Sequence, residues 1–236
     1  MNARWIDIKA QDGGKFQGYL SLPPQARSGG KGPGIVLIQE IFGVNAHMRG
    51  VADQYASDGY TVLAPDVFWR VQPMVDLGYG AQDRDQGIGY MQKMDFVAAV
   101  KDLAAAVDTL RGLRECGGKV ASIGYCMGGL LSYLCAANAG VDAAVCYYAG
   151  GVHNKLGEAA KIDCPILFHF GGNDAHISAA AVESVRQAFA GRDNARIDVY
   201  PGAEHGFNCW DRPAYNQQSA ALARGRSLSF LATTIG

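Results

Sequence analysis

From Gly34 onward, short uninterrupted apolar runs alternate with longer segments whose apolar residues recur at helical spacing. The apolar runs Ile35–Ile38, Thr61–Ala64, Val120–Ile123, Ala143–Tyr148, Ile166–Phe170 and Ile197–Tyr200 predict strands. Most lack a polar residue at every second position, the pattern of strands buried on both faces. Between them, helices are predicted over His47–Ser57 (capped by Asn45), Phe96–Leu113, Gly128–Ala137, Ala179–Ala190 and Ala214–Leu231. At the N-terminus, Trp5–Ala10 and Lys15–Leu22 read as a hairpin, set off from the body by the Gly/Pro-rich stretch from Ser21 to Gly34. Phe68–Gln92 reads as a long polar loop, which leaves a mobile lid open as its role. The expected fold is α/β, with a mostly parallel central sheet, helices on both faces and the N-terminal hairpin. No internal repeat divides the chain, so residues 1–236 are expected to form one domain.

Composition narrows what such a domain can do. With 49% hydrophobic and 18% charged residues over 236 positions, the chain can bury a sizeable core, which excludes disorder. No apolar run approaches the roughly 18–20 residues of a membrane span, and the N-terminus lacks the apolar stretch of a secretory signal. A formal net charge of −1 argues against a nucleic-acid or membrane partner. The expectation is a cytoplasmic protein, monomer or homodimer, acting on a small molecule without a cofactor. Among the cysteines no C-x-x-C spacing occurs, so no metal site is expected. Most of these thiols read as small buried hydrophobes.

Parallel sheets bind ligands at the carboxyl ends of their strands, and four such ends carry chemistry. Gly124-Tyr125-Cys126-Met127-Gly128 lies between a predicted strand and a predicted helix. A nucleophile on so tight a turn crowds its neighbours, which favours glycine two positions to either side. The helix N-terminus behind it favours thiolate over thiol. Such a nucleophile needs a base and a group to orient that base, and the order expected here is nucleophile, acid, histidine. Asp174 and His205 follow Cys126 in that order, each in a Gly-bearing loop after a strand. Asp66 is the rival acid, but it precedes the nucleophile. His169 lies inside a strand, His153 and His176 lie on polar loops, and His47 begins a helix. Backbone N–H groups of Met127 and Ile41 are the candidate oxyanion donors.

Together, Gln39–Asn45 (QEIFGVN), Gly124–Gly129 (GYCMGG), Tyr147–Tyr148, Gly171–Asp174 and Glu204–Phe207 resemble the dienelactone hydrolase (carboxymethylenebutenolidase) family, within the α/β-hydrolase fold. The resemblance runs from the N-terminal hairpin to the last helix. It implies a Cys126–His205–Asp174 triad, oxyanion donors at Ile41 and Met127, and a Glu40 that contacts the resting thiol and controls its ionisation. It also implies a substrate carboxylate held by two arginines. Arg84 matches the first, while the second position is Cys209, with Arg212 three residues further on. Phe42, Ile88 and Gly206 complete the candidate substrate-binding set. Ile88 and Gly206 stand where the family has tyrosine and serine, which predicts a more apolar, less anion-selective pocket. The implied reaction is hydrolysis of small carboxylic esters or lactones through a thioester acyl-enzyme. The alternative is a redox or peroxide-responsive thiol protein, with Cys135 and Cys146 as the other thiols near Cys126 in sequence.

Overall fold

The computed structural model describes residues 2–236. Strands β1 (Asn2–Lys9), β2 (Lys15–Leu22), β3 (Gly32–Ile38), β4 (Thr61–Pro65), β5 (Cys116–Tyr125), β6 (Ala143–Tyr147), β7 (Ile166–Gly171) and β8 (Ala195–Tyr200) form one sheet in the order β1-β2-β4-β3-β5-β6-β7-β8. The β1–β2 hairpin joins antiparallel to β4 through β2, and every pair from β4 to β8 is parallel. The helices are α1 (Ala46–Ser57), α2 (Ala81–Lys93), α3 (Phe96–Gly112), α4 (Met127–Asn138), α5 (Ala179–Ala188) and α6 (Gln217–Thr234). The predicted strands and hairpin are all present, with ends moved by a few residues.

Both faces of the sheet are covered, and the polar residues of the central strands show how. Ser122 of β5 meets Ser132 of α4 at 2.8 Å on one face. Tyr147 of β6 meets Ser227 of α6 at 2.7 Å on the other. His169 of β7 is satisfied on both ring nitrogens, by Tyr200 at 2.8 Å and Ser227 at 2.9 Å. Burial holds that histidine neutral, down to about 3. These pairs let polar side chains sit inside a double-faced core without the penalty of an unmade hydrogen bond. Helix starts follow local capping chemistry: Asn45 accepts from the Met48 N–H, Asp95 from Val97 and Ala98, and Asn216 from Ser219. The last of these places the start of α6 at Gln217 rather than Ala214.

The stretch from Phe68 to Gln92 is not a free loop. Trp69 and Arg70 are clamped to the buried Asp102 of α3, at 2.8 Å and 2.7 Å. Leu77 donates its N–H to the Phe42 carbonyl at 2.9 Å, and its own carbonyl accepts from the Asn45 side chain at 3.0 Å. Beyond Gly80 the chain forms α2, whose start is held by Asp83 accepting the Gly80 N–H at 3.2 Å. Only Gly87 of that helix is fully buried, so no apolar stripe marks it in the sequence. No helix among the described residues is long and apolar enough to cross a membrane.

Candidate active site

Cys126 is the point at which β5 gives way to α4. Its backbone stands at φ 56° and ψ −116°, outside the regions most side chains adopt. Close backbone approaches hold it there. A Cβ on Gly124 would lie 1.8 Å from the Gly128 carbonyl oxygen, and one on Gly128 would lie 2.3 Å from that of Ile38. Glycine at both positions is therefore a steric requirement of the turn. The Cys126 N–H donates to Tyr147 at 3.0 Å, and its carbonyl accepts from Gly129 at 2.9 Å. The side chain is left at the positive end of α4 and partly exposed. The N–H groups of Ile41, in the turn after β3, and of Met127, the residue after Cys126, make no backbone hydrogen bond of the turn, loop or cap kind among the described residues.

Two further strand ends bring the acid and the base together. Asp174, after β7, accepts from the His176 N–H at 2.8 Å and the Ile177 N–H at 3.2 Å through Oδ1. Its Oδ2 meets His205 Nδ1 at 2.8 Å. The carboxylate is fully buried and the imidazole nearly so. Burial opposes a charged imidazole, but the Cys126 sulfur and the Asp174 carboxylate outweigh it and raise His205 to about 10. Asp66 instead organises its own turn, accepting from Phe68 at 3.0 Å and Met74 at 2.6 Å. Of the other histidines, His176 stacks edge-on against His205, with ring centroids 5.0 Å apart.

The opposite wall is built from charged and aromatic side chains. Glu40 is 1% exposed, and burial raises its pKa despite the nearby Arg212 and His205. The resemblance implies that this carboxylate contacts the thiol. Its side-chain partner here is instead Arg212, with Nη1 3.5 Å from Oε1, while Oε2 has no partner. Arg212 also lies 5.8 Å from the Phe42 ring centroid, and Phe42 is edge-on to Tyr79 at 4.6 Å. His47 is buried against Trp210 at 4.0 Å, and desolvation with Arg212 nearby lowers it to about 4.

Gly206 and Arg212 are one structural event. Gly206 has φ +83°, and a Cβ there would come within 2.3 Å of Arg212 Nη1. The guanidinium occupies the space that a side chain at 206 would take, so the exchange does not make this wall more apolar. Over Asp174 and His205 opens a cavity of about 500 Å³, lined also by Asn173, His176, Glu204 and Arg212. Its lining is mostly polar, and neither Cys126 nor Ile88 contributes to it. Cys209 is fully buried, and desolvation beside Glu40 pushes its thiol up to about 12. It stands behind the wall rather than in the cavity. Ile88 is half-buried on α2. Arg84, expected on a loop, lies in the first turn of α2 with its side chain 61% exposed, 3.9 Å from Asp85. Tyr79, Tyr148 and Trp210 were not singled out as site residues by the sequence patterns, because the contacts that bring them here join distant segments.

Cys135 and Cys146 are fully buried, and burial pushes both thiols up. Neither offers Cys126 an accessible partner thiol. Among the described residues, no group of three or more His, Cys, Asp or Glu is placed to hold a metal ion.

Known proteins resemble this chain along nearly its whole length. The dienelactone hydrolase family profile matches residues 16–235. A carboxymethylenebutenolidase of Pseudomonas putida is 36% identical over 228 residues, covering 96% of this chain and 95% of the relative. Carboxymethylenebutenolidase 1 of Cupriavidus pinatubonensis is 30% identical over 228 residues, with the same coverage of 96% and 95%. A solved structure from Klebsiella pneumoniae subsp. pneumoniae superposes with a TM-score of 0.86 at 28% identity, covering 98% of each chain. With its mostly parallel sheet, its strand-end chemistry and these relatives, the chain belongs to the dienelactone hydrolase family of α/β-hydrolases.

Proposed function

We propose that this protein hydrolyses small carboxylic esters or lactones through a Cys126–His205–Asp174 triad, and that residues 1–236 act as one domain. The reading is carried by one observation: the 2.8 Å Asp174–His205 pair faces a cysteine held in a strained turn at a helix N-terminus. Asp174 fixes the imidazole with Nδ1 protonated, so Nε2 takes the Cys126 proton. The thiolate attacks the acyl carbon, a C–S bond forms, and the carbonyl electron pair moves onto oxygen. The free N–H groups of Ile41 and Met127 stabilise that oxyanion. The C–O bond then breaks, the proton on His205 passes to the leaving oxygen, and a thioester remains. A water deprotonated by His205 attacks the thioester, and the C–S bond breaks to release the acid and the thiol.

Arg212 sets the substrate class within this reading. It is the cation in the wall beside the cavity, and its planar fork suits a carboxylate carried by the substrate. Arg84 faces solvent and takes no part in the wall.

The test is kcat/KM for a dienelactone and for p-nitrophenyl acetate with the wild type, Cys126→Ala and Arg212→Met. Cys126→Ala is expected to lower both by at least about 1,000-fold. Arg212→Met is expected to raise KM for the anionic dienelactone about 10-fold and to spare the neutral ester. Wild-type turnover in Cys126→Ala would end the triad reading. Equal losses on both substrates in Arg212→Met would end the carboxylate assignment.

A further inference from the structure

Tyr148 follows the last residue of β6 and has φ 35°, in the left-handed region where a side chain is strained. Its N–H donates to His169 at 2.7 Å and its carbonyl accepts from Gly150 at 3.0 Å, so the backbone is locked in that state. Nothing in this turn asks for a tyrosine, and glycine would adopt it without strain. The ring is fully buried, packed on His205 at 5.1 Å and Phe207 at 5.4 Å. Its hydroxyl has no hydrogen-bond partner. An unmade hydrogen bond at a buried hydroxyl is itself unfavourable. The groups that bear on this hydroxyl electrostatically are Glu40, Cys209, Arg212 and Cys126. Strain and an orphaned donor thus coincide at a residue packed on the His205 ring.

Strand order says which part of the reaction the donor serves. In the sheet, β3 lies on one side of β5 and β6 on the other. The Ile41 donor follows β3, whereas Tyr148, Asp174 and His205 follow β6, β7 and β8. The oxyanion therefore sits on the β3 side of Cys126. The leaving oxygen must face His205, from which it receives its proton, and that is the side of Tyr148. The Arg212 guanidinium is tied to Glu40 by a single 3.5 Å contact.

We propose that the Tyr148 hydroxyl donates a hydrogen bond to the leaving-group oxygen as the C–O bond breaks, sharing with His205 the charge that develops there. This rests on the thiol-hydrolase reading above. The bond is made only in the transition state for acylation, so removing it lowers kcat/KM most where the leaving group is poorest.

The experiment compares wild type and Tyr148→Phe on phenyl acetate and p-nitrophenyl acetate, with Cys126→Ala as the blank and Tm recorded for each. Tyr148→Phe is expected to lose about 30-fold on phenyl acetate and less than about 3-fold on p-nitrophenyl acetate. Because the hydroxyl is unpartnered at rest, Tm is expected to be unchanged or higher. No loss on either ester, or equal losses on both, overturns the proposal. Should Tyr148→Phe fold poorly, 3-fluorotyrosine at position 148 keeps the shape and strengthens the donor. The slope of log kcat/KM against leaving-group pKa then becomes shallower if the proposal holds, and an unchanged slope overturns it. Activity that survives in Cys126→Ala marks a failure of the parent reading instead.

Discussion

The two walls that face Cys126 are built on opposite principles. On the side of Asp174 and His205, the polar groups that matter have partners: one carboxylate oxygen takes two backbone N–H groups and the other takes the imidazole. On the side of Glu40 and Arg212, partners are missing. Glu40 Oε2, His47 Nδ1 and Tyr79 Oη are all buried without a hydrogen bond. A satisfied network is rigid and well determined, whereas buried orphans store free energy that a bound polar group can release. The first wall is set for proton transfer before anything binds. The second is set to be completed by its ligand.

Asp174→Asn tests the rigid wall and carries the largest expected effect. Asparagine keeps one oxygen for the loop N–H groups, so the protein is expected to fold. It presents an amide N–H or an uncharged acceptor to His205 Nδ1, and so no longer stabilises the imidazolium. A fall in kcat of about 1,000- to 10,000-fold is expected, with KM changed little. A loss below about 10-fold would mean that another group orients the base.

Gly206→Ser tests the other wall through its tightest contact. The added Cβ competes with Arg212 for the same space, and the backbone there is left-handed at φ +83°. The guanidinium is expected to be displaced, weakening carboxylate-bearing substrates about 10-fold in KM while neutral esters keep theirs. An unchanged preference would show that Arg212 reaches substrate from a different rotamer.

Glu40→Gln reads the same wall in stability. A carboxyl whose folded pKa is raised holds its proton longer in the folded chain than in the unfolded one. Its contribution is complete below the ordinary glutamate value of 4.5 and is lost as pH rises through the folded pKa. Glutamine removes that loss. Arg212, 20% exposed, can be solvated without its partner. The variant is expected to match the wild type near pH 4 and to exceed it by about 1 kcal/mol at neutral pH, measured by urea unfolding across that range. A gap that is constant with pH would show that burial does not govern this carboxyl.

The difference between the walls also separates what the sequence makes legible from what it hides. Cys126, Asp174 and His205 are readable because each lies in the connection that follows a parallel strand, β5, β7 and β8, and the parallel order of the sheet carries all three to one edge. The glycines around Cys126 are readable because the clash they avoid is local. The second wall joins Glu40, His47, Tyr79 and Arg212 from four separate segments, and no spacing connects them. Gly206 and Arg212 look in sequence like two unrelated exchanges, yet one makes room for the other. The α2 helix was hidden for a different reason: it buries a glycine rather than an apolar stripe, so its periodicity carries no hydrophobic signal.

Arg84 is where that hidden helix changes a functional expectation, and it carries the smallest predicted effect. Matched by motif, Arg84 is the first of two carboxylate-binding arginines. Placed on α2, it extends into solvent beside Asp85, at a distance where an exposed ion pair contributes little. Arg84 is absent from the cavity lining, and the chain before α2 is anchored by the Leu77–Phe42 and Asn45–Leu77 hydrogen bonds. Arg84→Ala is therefore expected to leave kcat/KM within about twofold for anionic and neutral substrates alike. A selective loss on the anionic substrate would mean that α2 shifts when ligand binds. The second wall would then be completed by a whole helix, and not only by the side chains already gathered around Arg212.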